Sequence, residues 1–356
     1  MVDSKLKDRD LLDPPEQDGE RSALSRLDPP GFFIRHPAKP HMLDSFITPD
    51  DQLFQTIHMG PAVVDTSWWR LVIAGLVRSP FALTFDSLCK LPRHTVTAFH
   101  ECYGPTKPAT TALWRVGNVR WTGVPLRELL SIAKPLREAT FVWSESLGRG
   151  EFHGVQADRY QKDLPMEKAV GDDVLLAYEM NGRPLSRDRG GPVRLVVPGW
   201  FETNSTKWMS KIILQDHRAE GPFTTRFYNE PDPDNFEGPL RPVWRVEPNS
   251  MILKPKPGER LQESEVQVEG WAWGNDPVHC VQVSFDGGQH WAKAALGPRV
   301  KYSWQKSSMV VCLDHGPHTV LARATSNHGV SQPLTGQRNH CHSVVFEAGN
   351  DSVQPS

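Results

Sequence analysis

Prolines punctuate this chain from Pro14 to Pro355, 31 of them in 356 residues. A proline inside a helix removes a backbone hydrogen bond and clashes with the preceding turn. Short apolar runs between turns are therefore favoured over long helices. Twelve tryptophans point the same way, toward a β-rich architecture with large aromatic cores.

The length suits two domains of ~150 residues plus a tail. Lys and Arg number 40 against 42 Asp and Glu, a net charge of −2. Such a balance, with no block of one sign, argues against nucleic acid as a general partner. Mean hydropathy is −0.46, and no apolar run approaches the ~18 residues of a membrane-spanning helix. The charged start, Met1 to Asp10, has no apolar stretch behind it, so no secretory signal is read and a cytoplasmic location is expected. Five scattered cysteines make no disulfide framework. His340-Cys341-His342 has zinc-binding atoms at the wrong spacing, because neighbours along a strand point to opposite faces.

Residues 1–30, rich in Asp, Glu, Arg, Ser and Pro, read as a flexible, surface-draped arm. Residues 31–242 mix short strands and short helices, an α+β pattern. Trp69–Ile73 before Gly75 is an expected strand, as are Thr95–Phe99 and Val193–Val197. Thr84–Leu88 and Val124–Leu130 open short helices, with Pro125 suited to a first helical position. Residues 243–350 change pattern. Val266–Trp273, Val281–Phe285 and Val320–Thr325 alternate, and Asp286-Gly287-Gly288 marks a hairpin. That is the spacing of an immunoglobulin-like β-sandwich, with Trp271, Trp273, Trp291 and Trp304 as its expected core.

Two places suit chemistry. In His100-Glu-Cys-Tyr-Gly-Pro105, a strand delivers Cys102 to a Gly-Pro turn, where a thiolate is exposed and fixed in place. Such a thiolate serves as a nucleophile or a metal ligand, although a structural cysteine fits the local sequence as well. Downstream, Arg194, Ser205, Thr206 and Lys207 supply cations and hydroxyls on either side of the Pro198-Gly199 turn, a set that suits a phosphate. Read alone, that stretch is equally a solvated basic rim. No GxGxxG or Walker motif is present. Tyr160 reads as a boundary residue, and Glu101 and Glu145 as bases without an evident partner.

Together these segments resemble the sulfite oxidase family of molybdenum–molybdopterin enzymes. The resemblance rests on Gly117-Asn-Val-Arg-Trp-Thr-Gly-Val-Pro-Leu126, Asp173-Val-Leu-Leu-Ala-Tyr-Glu-Met-Asn-Gly182, Pro192–Gly199 with Ser205-Thr-Lys-Trp208, and the sandwich phrases Gly270-Trp-Ala-Trp273 and Val283–Trp291. These occur in one order across residues 45–348. The resemblance implies a molybdopterin-binding domain followed by a dimerisation sandwich, and hence a homodimer. It makes Cys102 the protein ligand to molybdenum, and places His58, Arg189, Arg194, Ser205, Thr206 and Lys207 on the cofactor. It puts Tyr160 near the family's active-site tyrosine. The implied reaction is oxygen-atom transfer, with oxidation of sulfite or a related sulfur oxyanion to sulfate as the first expectation. Reduction of a sulfoxide or nitrate, and a cofactor-free dimeric scaffold, are the alternatives. Residues 1–30 are too short for a haem domain, no CxxCH occurs, and no flavin domain is appended. A separate electron acceptor or donor is therefore expected.

The chain also departs from the family. Tyr103-Gly-Pro-Thr-Lys107 replaces Ala-Gly-Asn-Arg-Arg, leaving Lys107 to meet the substrate anion without the planar fork of arginine. Ile57-His58-Met59 stands for Arg-Asn-His, Gly148 for an aspartate and Arg189 for a histidine. The Trp-Asn-x-Arg-Gly phrase near the C-terminus is missing. Arg338 is the nearest substitute, and Arg115 is a second.

Overall fold

A computed structural model describes residues 10–14, 24–104, 115–232, 235, 237–336 and 338–349. The chain gathers into two compact units. One comprises Met1–Arg35, Gln55–Val96 and Arg120–Trp244, the other His36–Phe54, Thr97–Val119 and Arg245–Ser356. The unit that carries the sandwich thus includes two segments from earlier in the chain. Hydrogen bonds account for this. Trp271 Nε1 donates to Leu43 O at 2.6 Å, Trp304 Nε1 donates to Phe46 O at 3.0 Å, and Phe99 N donates to Tyr302 O at 2.8 Å.

The first unit is built on a five-stranded sheet in the order Gln161–Pro165, Phe141–Ser146, Met209–Gln215, Arg70–Gly75, Phe81–Thr84. Met209–Gln215 runs parallel to Arg70–Gly75, and the remaining pairs are antiparallel. Apolar residues such as Leu71, Ile73, Val142, Ile212 and Leu214 are buried along it. A second sheet carries Arg183–Pro184, Leu175–Met180, Val116–Pro125 and His94–Glu101, and Arg194–Val196 also pairs with Leu175–Met180. Two of its strands, Val116–Pro125 and His94–Glu101, contribute residues to both units.

The short helices form where side-chain chemistry allows them. Phe85–Cys89 is capped by Thr84, whose hydroxyl accepts from the Ser87 amide, satisfying a donor the helix leaves orphaned. Leu126–Ala133 buries Leu126, Leu129, Leu130 and Ala133, one face at helical spacing. Pro125 is the residue before this helix rather than its first residue, because it still belongs to the strand Val116–Pro125. Of the arm, the described parts are hydrogen-bonded: Leu12 bridges Ala82, and Leu24–Leu27 pairs with Ala62–Val64.

The second unit holds two four-stranded antiparallel sheets. One runs Asn249–Lys254, Glu265–Trp273, Gln305–Cys312, Ala295–Leu296, and the other Ala292–Lys293, Val278–Ser284, Gly316–Ser326, His342–Ala348. In His342–Ala348 every second residue is buried, the period of a strand with one face on a core. The architecture is α+β followed by an immunoglobulin-like sandwich. Trp271, Trp273 and Trp304 are buried, and Trp271 stacks on Trp304 at 4.7 Å. Trp291 is half-buried instead, because the Arg323 guanidinium covers its ring at 4.0 Å. Among the described residues no helix is long and apolar enough to cross a membrane.

Candidate functional site

The first unit concentrates buried cations. Pairing of Arg194 with Ala177 in adjacent strands carries the guanidinium inside, where 1% of the residue is exposed. Its Nη1 donates to Arg189 O and its Nη2 to Ser205 O, each at 3.1 Å. It faces Glu202 at 3.7 Å and lies 4.9 Å from the Trp121 ring centre. Its Nε is buried without a hydrogen-bond partner among the described residues. Burial pulls the Arg194 pKa down to about 10. Lys207 donates to Thr56 O at 2.6 Å and pairs with Glu202 at 3.2 Å, and burial lowers it to about 8.

Arg189, also buried, ends the turn Arg187–Arg189, and Gly190 follows at φ +101°. A Cβ at Gly190 would lie 2.7 Å from Lys207 Cβ, so only glycine lets the two segments pass this closely. Arg194 and Lys207 thus share one carboxylate, Glu202, which raises both against the pull of desolvation. The hydroxyls play another part. Ser205 Oγ accepts from Val197 N at 3.1 Å, and Thr206 Oγ1 meets Ser144 Oγ at 2.7 Å. Ser205 and Thr206 shape the turn that carries Lys207.

Beside this cluster the same unit builds an aromatic pocket around His58. Its ring meets Phe152 at 4.8 Å, Tyr160 at 5.1 Å and Phe223 at 5.3 Å. Burial first, and Lys207 second, push the His58 pKa down to about 3, so the imidazole is neutral. Its Nε2 lies 2.5 Å from the Tyr228 hydroxyl. A phenol is the stronger acid of the two, so the Tyr228 O–H donates to the imidazole nitrogen. Tyr228 sits at φ +59°, a region costing an L-residue roughly 1–2 kcal/mol. Its carbonyl accepts from Val243 N at 3.0 Å.

Tyr160 lies in the same pocket. It is buried, and its hydroxyl donates to Thr203 O at 2.7 Å, with Thr203 Oγ1 at 2.9 Å. Tyr160 stays beside the His58 ring; a second tyrosine of the pocket, Tyr228, meets His58 Nε2 through its hydroxyl and was not singled out in the sequence. Phe227-Tyr228-Asn229 matches no motif, and the one available signal was the scarcity of tyrosine, five in the whole chain. Glu145 does have partners: Arg159 at 2.5 Å and Gln161 at 2.7 Å.

The second unit holds Cys102. The strand His94–Glu101 ends immediately before it, and Cys102 N donates to Arg115 O at 2.9 Å. The half-buried thiol therefore leaves a fixed strand end at the turn Tyr103-Gly104. Two arginines converge on that turn. Arg338 Nη2 donates to Gly104 O at 2.8 Å, and its guanidinium carbon lies 3.7 Å from the Tyr103 ring centre. Arg115 Nη1 is 2.8 Å from where a Gly104 Cβ would stand. Glu101 is buried, accepting from Trp273 Nε1 at 2.7 Å and Asn249 Nδ2 at 3.4 Å. Burial raises its pKa to about 7. Lys107 lies outside the described residues.

One unit thus gathers Arg189, Arg194 and Lys207, and a sandwich follows it. Residues 58–223 match the oxidoreductase molybdopterin binding domain, and residues 241–339 the Mo-co oxidoreductase dimerisation domain. The sulfite oxidase of Gallus gallus is 30% identical over 339 residues, covering 86% of this chain and 72% of that protein. The mitochondrial sulfite oxidase of Rattus norvegicus is 30% identical over 322 residues, covering 82% of this chain but 58% of its relative. The sulfane dehydrogenase SoxCD of Paracoccus pantotrophus shares the fold at a TM-score of 0.74 and 28% identity, covering 87% of this chain and 85% of that one. The chain belongs to the sulfite oxidase family.

The residues present fit a molybdopterin. Its phosphate needs cations and close backbone approach, which Arg189, Arg194, Lys207 and the Gly190 passage offer. The buried Arg194 Nε has a donor to spare among the described residues. A thiol on a rigid strand end suits a soft metal.

Proposed function

We propose that this protein is a molybdenum–molybdopterin oxidoreductase that oxidises sulfite, or a related sulfur oxyanion, to sulfate. The observation that carries the proposal is the buried Arg194, with Arg189 beneath its Nη1 and Lys207 sharing Glu202 with it. When bound, the cofactor supplies the two-electron redox chemistry. Arg189, Arg194 and Lys207 hold its phosphate, while Ser205 and Thr206 fix the turn that presents Lys207. Cys102 provides the thiolate for molybdenum. Tyr160, beside His58 in the aromatic pocket, supplies the hydroxyl that hydrogen-bonds the substrate. Lys107, Arg115 and Arg338 supply positive charge for a dianion. We also propose a homodimer joined through the sandwich, a separate electron acceptor, and a cytoplasmic location, in keeping with five cysteines of which none is in a disulfide.

The test is sulfite-dependent ferricyanide reduction, with the rate divided by molybdenum content. The expected outcome is saturable turnover per molybdenum, abolished in Cys102→Ser while the melting curve stays within a few degrees of the parent. Molybdenum without sulfite turnover would refute the substrate and redirect it to a sulfoxide or nitrate. That second reading is favoured by the engagement of Arg338 with Tyr103 and Gly104.

A further inference from the structure

The cation cluster contains one group at odds with the ligand it suits. Glu202 is buried and has the same sign of charge as a phosphate, yet its carboxylate stands 3.2 Å from Lys207 Nζ and 3.7 Å from Arg194 Nη2. It enters on the short turn Glu202–Asn204. Asn204 pins that turn, its Nδ2 donating to Phe201 O at 3.1 Å and to Val243 O at 3.0 Å, and Ser205 N donates to Glu202 O at 2.7 Å. Glu202, Ser205 and Lys207 therefore reach the cluster on one fixed loop, and the carboxylate can leave the cations by rotating its own side chain.

Another ion pair of the same unit shows the geometry of a permanent partner. Asp163 is fully buried and accepts from Arg218 Nε and Nη2 at 3.0 Å each, and from Ala219 N at 2.9 Å. Such a bidentate pair is the strong arrangement. Glu202 instead divides itself between two cations and approaches Arg194 more loosely. Lys207 has a second anchor in Thr56 O at 2.6 Å, and Arg194 has the carbonyls of Arg189 and Ser205 at 3.1 Å, so both cations keep their places when the carboxylate moves. What the carboxylate supplies is charge. Desolvation comes first against the charged forms of Arg194 and Lys207, Arg189 adds to it, and Glu202 is the largest opposing influence on both. A buried cation left without a counter-ion is strongly destabilising.

We propose that Glu202 is an internal counter-ion of the phosphate site: it occupies Arg194 and Lys207 in the cofactor-free chain and yields them to the phosphate of the cofactor. Loading is then an exchange of one anion for another. The inference rests on the assignment of these cations to the cofactor phosphate, and it says what holds them before loading. A phosphate oxygen on Lys207 Nζ, at ~2.8 Å, lies within ~6 Å of a carboxylate that has not moved. Two like charges at ~6 Å, at an effective dielectric constant of ~20, weaken binding about a hundredfold, and a carboxylate that swings aside costs less. Removing its charge should therefore tighten anion binding about tenfold or more.

The test is calorimetric binding of inorganic phosphate to the full cofactor-free chain at constant ionic strength, for the parent, Glu202→Gln and Lys207→Ala, beside their melting curves. Glu202→Gln is expected to melt below the parent without phosphate and to bind phosphate about ten- to a hundredfold more tightly. Added phosphate should then raise its melting temperature more than the parent's. Lys207→Ala should lose phosphate binding. Equal or weaker phosphate binding by Glu202→Gln, or a melting temperature at or above the parent's in its absence, would overturn the proposal and leave the cofactor assignment standing. Phosphate bound by Lys207→Ala as tightly as by the parent places the anion elsewhere, and overturns the assignment and the proposal together. Should Glu202→Gln not fold in chloride, refolding in phosphate decides: recovery of a cooperative melt supports the proposal, and no recovery overturns it.

Discussion

Acid should act on this protein through His58. The folded chain holds its pKa at about 3 against an ordinary 6.5, so as pH falls the unfolded chain takes up the proton first. The contribution of a neutral His58 to stability is thus complete above pH 6.5 and drains away as pH drops toward 3. Each pH unit in that window is worth about 1.36 kcal/mol, so going from pH 6.5 to 5 removes about 2 kcal/mol. For a chain of this size that corresponds to roughly 3 °C in melting temperature. Two measurements check the reasoning. In a histidine Cε1 NMR titration of the full chain, the signal missing from His58→Gln should stay at its neutral position down to pH 5. His342 should be silent as well, since burial lowers it to about 4 and its Nδ1 accepts from Ile252 N; the substitution separates the two. Between pH 6.5 and 5, the parent should lose about 2 kcal/mol more than His58→Gln. A His58 midpoint above pH 5.5, or equal losses in the two proteins, would refute the account of a desolvated, neutral imidazole.

Two further substitutions separate roles within the first unit. Lys207→Ala should lower molybdenum content several-fold while leaving turnover per bound metal within about twofold; normal occupancy with a reduced rate would contradict its place on the phosphate. Tyr160→Phe should cost about 1 kcal/mol of stability by removing its bond to Thr203 and should slow turnover per molybdenum. An unchanged rate per molybdenum would remove Tyr160 from the reaction site.

The readable parts of this protein were those set by neighbours in sequence. Alternation identified the sandwich strands, and Thr84 and the apolar spacing of Leu126–Ala133 identified two helices. The strand ending at Glu101 put Cys102 at a turn, and the strand at Arg194 sent a cation inward. Each of those outcomes follows from backbone periodicity and local hydrogen bonding. What was not readable needed partners far along the chain. His58 and Tyr228 are 170 residues apart, and neither belongs to a pattern that names the other. The hydroxyls of Ser205 and Thr206 looked suited to a ligand because their sequence shows types and not directions; in the folded unit they turn to Val197 and Ser144. Trp291 carries the same hydrophobic signal as Trp273, yet its burial depended on whether a sheet or an arginine covered it.

The sequence by itself determined an α+β unit followed by a sandwich, cations and hydroxyls on either side of the Pro198-Gly199 turn, and a thiol at a strand end, because period, turn chemistry and residue type are local properties. Only the tertiary structure decided that Arg194 is buried facing Glu202, that Tyr160 and Tyr228 both meet His58, and which segments join the sandwich tryptophans. Those outcomes depend on desolvation and on hydrogen bonds closed over long sequence separations, which exist only once the strands have paired.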